Sequence, residues 1–367
     1  MSSLFESLKL RDVVLPNRIG MSPMCQYCAE GGMADDWHFV HYGSQSLGGA
    51  GLMVVEATAV SPEGRISPYD LGLWDDHQIE PLARIASFAN KHGCVPALQL
   101  AHAGRKGSKS QNYDVKAQHA IRPGEGGWPV LGPSPIPQDE NHETPSELSI
   151  EGINRIVNDF ASATTRAYDA GFRVIELHGA HGYLLHQFLS PLSNQRTDHY
   201  GGDFENRIRF AREVIERVRE KWPARLPLLL RISATDWIEG GWTVDEAVRF
   251  SAIARDLGVD LIDVSSGGVS PRAQIPVGPG YQTRFSARIR EEVGIATATV
   301  GLITAAKQAD HIVRTGQADM VMLGRELLRN RFWPAQAAAE LGLTASWPAQ
   351  YIRAAPPGSV VREVLAN

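Results

Sequence analysis

Eight short runs of β-branched or apolar residues recur along this chain. They are Arg18–Met24, Leu52–Thr58, Val95–Ala101, Phe172–His178, Pro227–Ser233, Leu261–Ser265, Ala298–Gly301 and Met320–Gly324. Several are almost continuously apolar, as expected of parallel strands covered by helices. Stretches of helical period separate most of them. In Ser149–Ala170 the residues Ile153, Ile156, Val157, Phe160 and Ala167 form one stripe, and Gly171 follows as a stop. Asp203–Trp222 repeats the pattern behind an acidic cap, and Trp37–Leu47 reads as a further helix. Strand–helix alternation counted eight times predicts an α/β fold, a single (β/α)8 TIM barrel. A doubly wound sheet is the competitor, but neither G-x-G-x-x-G nor G-x-x-x-x-G-K-[ST] occurs.

The barrel accounts for most of the 367 residues, so one domain is expected over 1–367. Leu8–Asn17 reads as a hairpin closing the barrel floor. About 70 residues separate the third and fourth strands, and Arg122–Ser146 holds six prolines and four glycines. That composition predicts an excursion or lid over roughly 103–148; a surface loop without a role is the other reading. A C-terminal arm is expected over about 342–367.

With 43% apolar and 21% charged residues the chain can supply a core and is not disordered. No apolar run approaches a membrane span. A net charge of −5, from 36 basic and 41 acidic residues, gives no affinity for nucleic acid. The first residues lack a signal-peptide layout, and three cysteines make no disulfide framework, so a cytoplasmic location is expected.

Barrel enzymes build their sites at strand C-termini. Those positions hold Pro23-Met24-Cys25-Gln26-Tyr27, then Glu56-Ala57-Thr58, then Gln99 and His102. Next come His178, His181 and Tyr183, Arg231, Ser265-Ser266-Gly267-Gly268, Gly301, and Gly324-Arg325. There is no carboxylate pair suited to glycoside hydrolysis. Gly301, Gly324 and Arg325, after the seventh and eighth strands, suit a phosphate-bearing cofactor, with a helix opening at Glu326; glycines that merely turn strand into helix are the alternative. His178 and His181 could share a metal, but zinc needs a third ligand. As neutral imidazoles they could instead donate to a carbonyl oxygen that gains charge, with Tyr183 as a proton donor. His38 and His41, three apart on a helix, read as structural. Cys25-Gln-Tyr-Cys28 lacks the context of a thioredoxin motif, and no fourth cysteine exists for a cluster. Cys94 reads as packing.

These residues resemble the Old Yellow Enzyme family of flavin-dependent ene-reductases. The stretch HGAHGYLLHQFLSPLSNQRTDHYGGDFENRIRF, His178–Phe210, carries the likeness most fully, and Leu98–Arg105 and Leu323–Leu328 are similar to two further family blocks. Pro23–Tyr27 resembles the thermophilic-like, xenobiotic reductase class, with Cys25 in place of a Thr. The resemblance implies a non-covalent FMN at the barrel top. Ser22, Pro23, Met24, Cys25, Ala57, Gln99 and Arg231 would hold its ring system, and Gly301, Gly324 and Arg325 its phosphate. It implies ping-pong reduction by NADPH or NADH, then of an activated alkene, an α,β-unsaturated carbonyl or nitro compound. His178 and His181 would bind the substrate oxygen and Tyr183 would protonate the α-carbon. Tyr27 would line the pocket, and Arg353 would reach a neighbouring subunit's site in a homodimer or homotetramer. Cys28 departs from the pattern and raises a reversible Cys25–Cys28 disulfide. The tail Ala354–Asn367 runs past the expected end. No cysteine follows Cys94, which excludes the iron–sulfur branch.

Overall fold

A computed structural model of the chain describes residues 3–111 and 119–363. Eight parallel strands close into a barrel: β1 (Ile19–Met21), β2 (Leu52–Ala59), β3 (Val95–Ala101), β4 (Val174–Gly179), β5 (Leu228–Ser233), β6 (Leu261–Ser265), β7 (Ala296–Val300) and β8 (Met320–Leu323). Each pairs with its sequence neighbours, and β8 returns to β1 through Val321↔Ile19. β2, β4, β5, β6 and β8 are buried at every position, because barrel interior and helical layer cover both faces. All eight strands fall on the predicted runs, with ends shifted by a few residues.

Helices α1 (Asp36–Ser46), α2 (Ile79–Lys91), α3 (Ile150–Asp169), α4 (Arg209–Lys221), α5 (Val244–Asp256), α6 (Thr283–Val293), α7 (Ala306–Arg314) and α8 (Trp333–Glu340) form the outer layer. In α3, Ser149 caps by accepting from the Gly152 N–H, and the predicted apolar stripe is buried. The helix predicted over Asp203–Trp222 is instead two pieces, Phe204–Arg207 and α4. It is interrupted at Ile208, where the preceding Arg207 is drawn inward onto the Leu189 carbonyl and Glu246.

The floor is the predicted hairpin, Leu8–Leu10 paired antiparallel with Val13–Leu15. It sits at the N-terminal ends of β5 and β6: Asp12 N–H donates to the Arg225 carbonyl and Arg11 Nε to Asp260 at 2.6 Å. The excursion after β3 is tied to the barrel rim. Arg105 donates to the Ile136 carbonyl, Trp128 Nε1 to that of Glu63, and Arg196 to those of Pro133 and Leu148. The part of the predicted lid over 112–118 lies outside the described residues, as do 364–367 of the arm. The rest of the arm doubles back, Ser346–Trp347 pairing with Val360–Val361. Among the described residues no helix is long and apolar enough to cross a membrane.

Candidate active site

At the C-terminal end of the barrel, a bulge in the β2–β3 pairing between Val55 and Thr58 turns Glu56 and Ala57 out of register. Such bulges re-aim side chains beside functional sites. Glu56 is fully buried, and its carboxylate accepts from the Gln26 N–H at 2.7 Å and the Tyr42 hydroxyl at 3.0 Å. It therefore pins the loop that follows β1, the loop carrying Cys25 and Tyr27. Tyr27 holds a left-handed backbone, φ 55°. Burial pushes the Glu56 carboxyl up to about 8. Nothing in the sequence marks this role, since Tyr42 and Gln26 stand 14 and 30 positions away.

Cys25 packs with Ala57, Ile66, Ala101 and Ala103, beside Tyr183. Burial, then Asp70 and Glu56, push its thiol well above the ordinary value, so it stays protonated. Cys28 faces elsewhere: its Sγ lies 3.6 Å from His38 Nε2. Both thiols are free.

His178 and His181 come off β4 with their rings edge to face, centroids 5.2 Å apart, and Tyr183 stands 4.8 Å from His178. The Ala180 N–H donates to His178 Nδ1 at 3.3 Å, a contact that places the ring proton on Nε2. His181, at φ 59°, is held by its own N–H to Ser233 Oγ at 2.9 Å and by Nε2 to Ser265 Oγ at 2.7 Å. Burial, reinforced by Arg231, drives both imidazoles well below their ordinary pKa. They are neutral at neutral pH, each with a single N–H to donate: that of His178 on Nε2, and that of His181 on Nδ1 when Ser265 donates to its Nε2. Burial pushes the Tyr183 phenol up, and its hydroxyl has no hydrogen-bond partner among the described residues. Among those residues the one group of three metal-capable side chains is Cys28, Asp35 and His38, which leaves the two β4 histidines without a third ligand.

Inside the barrel, register sets Gln99 beside Glu176, His178 beside Arg231, and Arg231 beside Asp263. Gln99 Nε2 donates to Glu176 at 2.8 Å, and Arg231 Nε is 3.1 Å from Asp263 Oδ2 without the alignment of a hydrogen bond. Among the described residues, Arg231 Nε and the Ser22 hydroxyl are buried with no hydrogen-bond partner. Such orphans are rare unless a ligand takes them up.

A cavity of about 300 Å³ continues from Arg231 and Ser265 over Tyr281, Gly301, Gly324 and Arg325. Gly301 sits at φ 131°, and a Cβ there would stand 2.9 Å from the Tyr281 ring. Met24 Sδ is 3.4 Å from where a Gly324 Cβ would lie, so the β1 loop and the β8 turn meet here. The helix after β8 begins at Arg325, one residue before the predicted start. A flat polar ligand with a phosphate arm fits this layout, since buried donors face one end and glycine backbone with an arginine the other. Arg353 lies apart, exposed on the 3-10 turn Ala349–Ala354. The arm that carries it rests on its own barrel through Phe332, stacked on Trp347 with centroids 4.7 Å apart.

Residues 3–344 match the model of the NADH:flavin oxidoreductase / NADH oxidase family. An NADPH dehydrogenase of Listeria innocua serovar 6a is 47% identical over 356 residues, 96% of this chain and 99% of that one. The NADPH dehydrogenase of Listeria monocytogenes serovar 1/2a is equally similar over the same shares. Morphinone reductase superposes with a TM-score of 0.77 at 27% identity, covering 94% of this chain and 91% of that one. Its complex with tetrahydroNAD matches at 26% identity and the same TM-score, over 95% and 93%. On these matches the chain belongs to the NADH:flavin oxidoreductase / NADH oxidase family, that of Old Yellow Enzyme, and is an FMN-dependent NAD(P)H oxidoreductase.

Proposed function

We propose that this oxidoreductase is an ene-reductase, which saturates the activated C=C bond of α,β-unsaturated carbonyl or nitro compounds. The observation that carries this reading is the trio on β4 and its loop: two neutral imidazole donors and a phenol whose hydroxyl is unengaged among the described residues. The same architecture supports nitro-group acceptors, which also gather negative charge on oxygen.

The residues present fit FMN. Ser22, Pro23, Met24, Cys25, Ala57, Gln99 and Arg231 would hold the ring system, and Gly301, Gly324 and Arg325 the phosphate. Bound FMN supplies hydride chemistry, taking its reducing equivalents from NADPH or NADH. Arg231 offers positive charge to an electron-rich ring edge. His178 and His181 grip the substrate oxygen, and their hydrogen bonds strengthen as charge develops there, which favours the transition state over the ground state. Ser233 and Ser265 keep His181 aimed. Tyr183 delivers a proton to the α-carbon; its raised pKa keeps the phenol protonated until a carbanion-like centre forms. Tyr27 lines the pocket. One pocket serves reductant and acceptor in turn.

A second copy of the chain suits the groove of about 640 Å³ between α1 and the turn after β8, lined by Trp37, Val40, Leu328 and Phe332. Trp37 is 59% exposed, a large apolar surface for an unpartnered position. Arg353 would then reach the neighbouring subunit's pocket.

The test is anaerobic turnover. With NADPH and 2-cyclohexenone, one cyclohexanone is expected for each NADPH consumed. NADPH consumption that requires oxygen and yields no saturated ketone would overturn the reading.

A further inference from the structure

The turn that joins His181 to Tyr183 is built on two successive left-handed residues, His181 at φ 59° and Gly182 at φ 73°. It is pressed against the loop after β6, since a Cβ on Gly182 would lie 2.3 Å from the Gly268 carbonyl oxygen. A histidine in this region is strained and keeps its place only when its surroundings fix it. Here each polar backbone group of the pair is taken by a side chain. Ser233 Oγ accepts from the His181 N–H at 2.9 Å, and Lys106 Nζ donates to the His181 carbonyl at 2.8 Å and to that of Gly268 at 3.1 Å. Gln187 Nε2 donates to the Gly182 carbonyl at 2.7 Å, and His186 Nδ1 accepts from the Gly182 N–H at 2.9 Å.

The last of these contacts depends on where a proton sits. An imidazole nitrogen accepts only when it is bare, and the ring must then carry its proton on the other nitrogen. His186 is therefore neutral, with the proton on Nε2. That nitrogen lies 3.0 Å from Asp236 Oδ1, an ion-pair distance off the line of a hydrogen bond. His186 and Asp236 are both fully buried. The other carboxylate oxygen, Oδ2, accepts from Ser190 Oγ at 2.6 Å and from the Trp242 N–H at 2.7 Å. Asp236 thus turns a proton acceptor towards Nε2, on the far side of the ring from Gly182.

We propose that Asp236 and His186 form a tautomer lock behind the active site. Asp236 keeps the His186 proton on Nε2, which leaves Nδ1 free to hold the Gly182 N–H and so fixes His181 and Tyr183 relative to each other. Both are positioning residues, acting through the turn and not on the reacting atoms. The consequence for turnover rests on the ene-reductase reading; the lock itself does not.

Asp236→Asn is the direct probe. The Trp242 N–H remains a donor, so the amide oxygen takes the place of Oδ2 and the amide NH2 faces His186 Nε2. The ring must then carry its proton on Nδ1, against the Gly182 N–H. In the FMN-loaded enzyme, reduced under nitrogen, Asp236→Asn is expected to slow flavin reoxidation by 2-cyclohexenone about tenfold or more, the scale of a misplaced reacting group. Reoxidation by dissolved oxygen, which needs no grip on a carbonyl and no proton at an α-carbon, should change less than twofold. His186→Asn sets an amide oxygen where Nδ1 stands and needs no partner at position 236. Added to Asp236→Asn, it should restore most of the lost rate, which a merely structural role would not allow. Histidine-selective nitrogen labelling and NMR, with the His186 signals assigned by their loss in His186→Asn, read the tautomer itself. The proton is expected on Nε2 in the parent and on Nδ1 in Asp236→Asn. An unchanged enone rate, equal slowing with enone and oxygen, or a double variant no faster than Asp236→Asn would overturn the lock. So would a parent His186 protonated on Nδ1, or a tautomer that Asp236→Asn leaves unchanged. If 2-cyclohexenone does not reoxidise the parent, the ene-reductase reading fails and the tautomer spectra alone decide the lock. If Asp236→Asn does not fold, the parent spectrum decides it.

Discussion

Tyr183, His178 and His181 lie within six positions of sequence, yet their chemistry is set by residues far away. Burial and Arg231 keep the imidazoles neutral, and Ser265 orients His181 across 84 positions. Tyr183→Phe is expected to slow acceptor-driven flavin reoxidation about 100-fold, the scale of a lost general acid. Flavin reduction by NADPH should stay within twofold. Stopped-flow measurement of the two half-reactions checks this; equal losses in both would remove Tyr183 from the proton-donor role. Cys25 stays a neutral thiol against the pocket wall, so Cys25→Ser is expected to shift the flavin midpoint potential while FMN remains bound. Dye equilibration reads that shift, and an unchanged potential would contradict it. The histidine–tyrosine spacing was legible in the sequence because all three ride one strand end. The place of Lys106 was not, because its hold on the His181 and Gly268 carbonyls is a property of the folded rim alone.

At the scale of elements, the alternation of apolar runs and helical stripes located every barrel strand, since burial on both faces leaves a continuous apolar signature. It did not reveal the break at Ile208, which depends on where Arg207 finds its acceptors. Nor did it reveal that much of the family-like stretch from His178 to Phe210 is architectural. Asn194 ties the carbonyls of Phe188 and Tyr200, and Arg196 braces the excursion. The bulge in β2 makes a stability prediction. The Glu56 carboxyl is raised to about 8 in the fold from about 4.3 in the open chain, so the folded state holds the extra proton between those values. Its contribution is fully present below pH 4 and is lost as pH rises towards 8. Glu56→Gln should therefore flatten the fall of Tm between pH 5 and 8; an unchanged slope would place the ionisation elsewhere. Gly301→Ala tests the turn after β7. A Cβ 2.9 Å from Tyr281, on a backbone at φ 131°, should cost about 1–3 kcal/mol and weaken FMN retention, read by thermal melting and by flavin released on dilution. A variant as stable and as yellow as the parent would refute the close fit.

For the molecule as a whole, the barrel, hairpin floor and excursion form one frame whose polar end gathers donors from six strands. The arm that follows α8 folds back on its own barrel and leaves Arg353 exposed, with Trp37 and Val40 uncovered nearby on α1. Light scattering is expected to give two or four times 40.1 kDa, and a monomeric mass would contradict the shared site. The most direct test of the account is an absorbance spectrum of the purified protein taken under nitrogen. A yellow protein whose flavin band is bleached by NADPH and restored by 2-cyclohexenone is the predicted result. A band that bleaches and returns only on admitting air would contradict ene-reduction by this site.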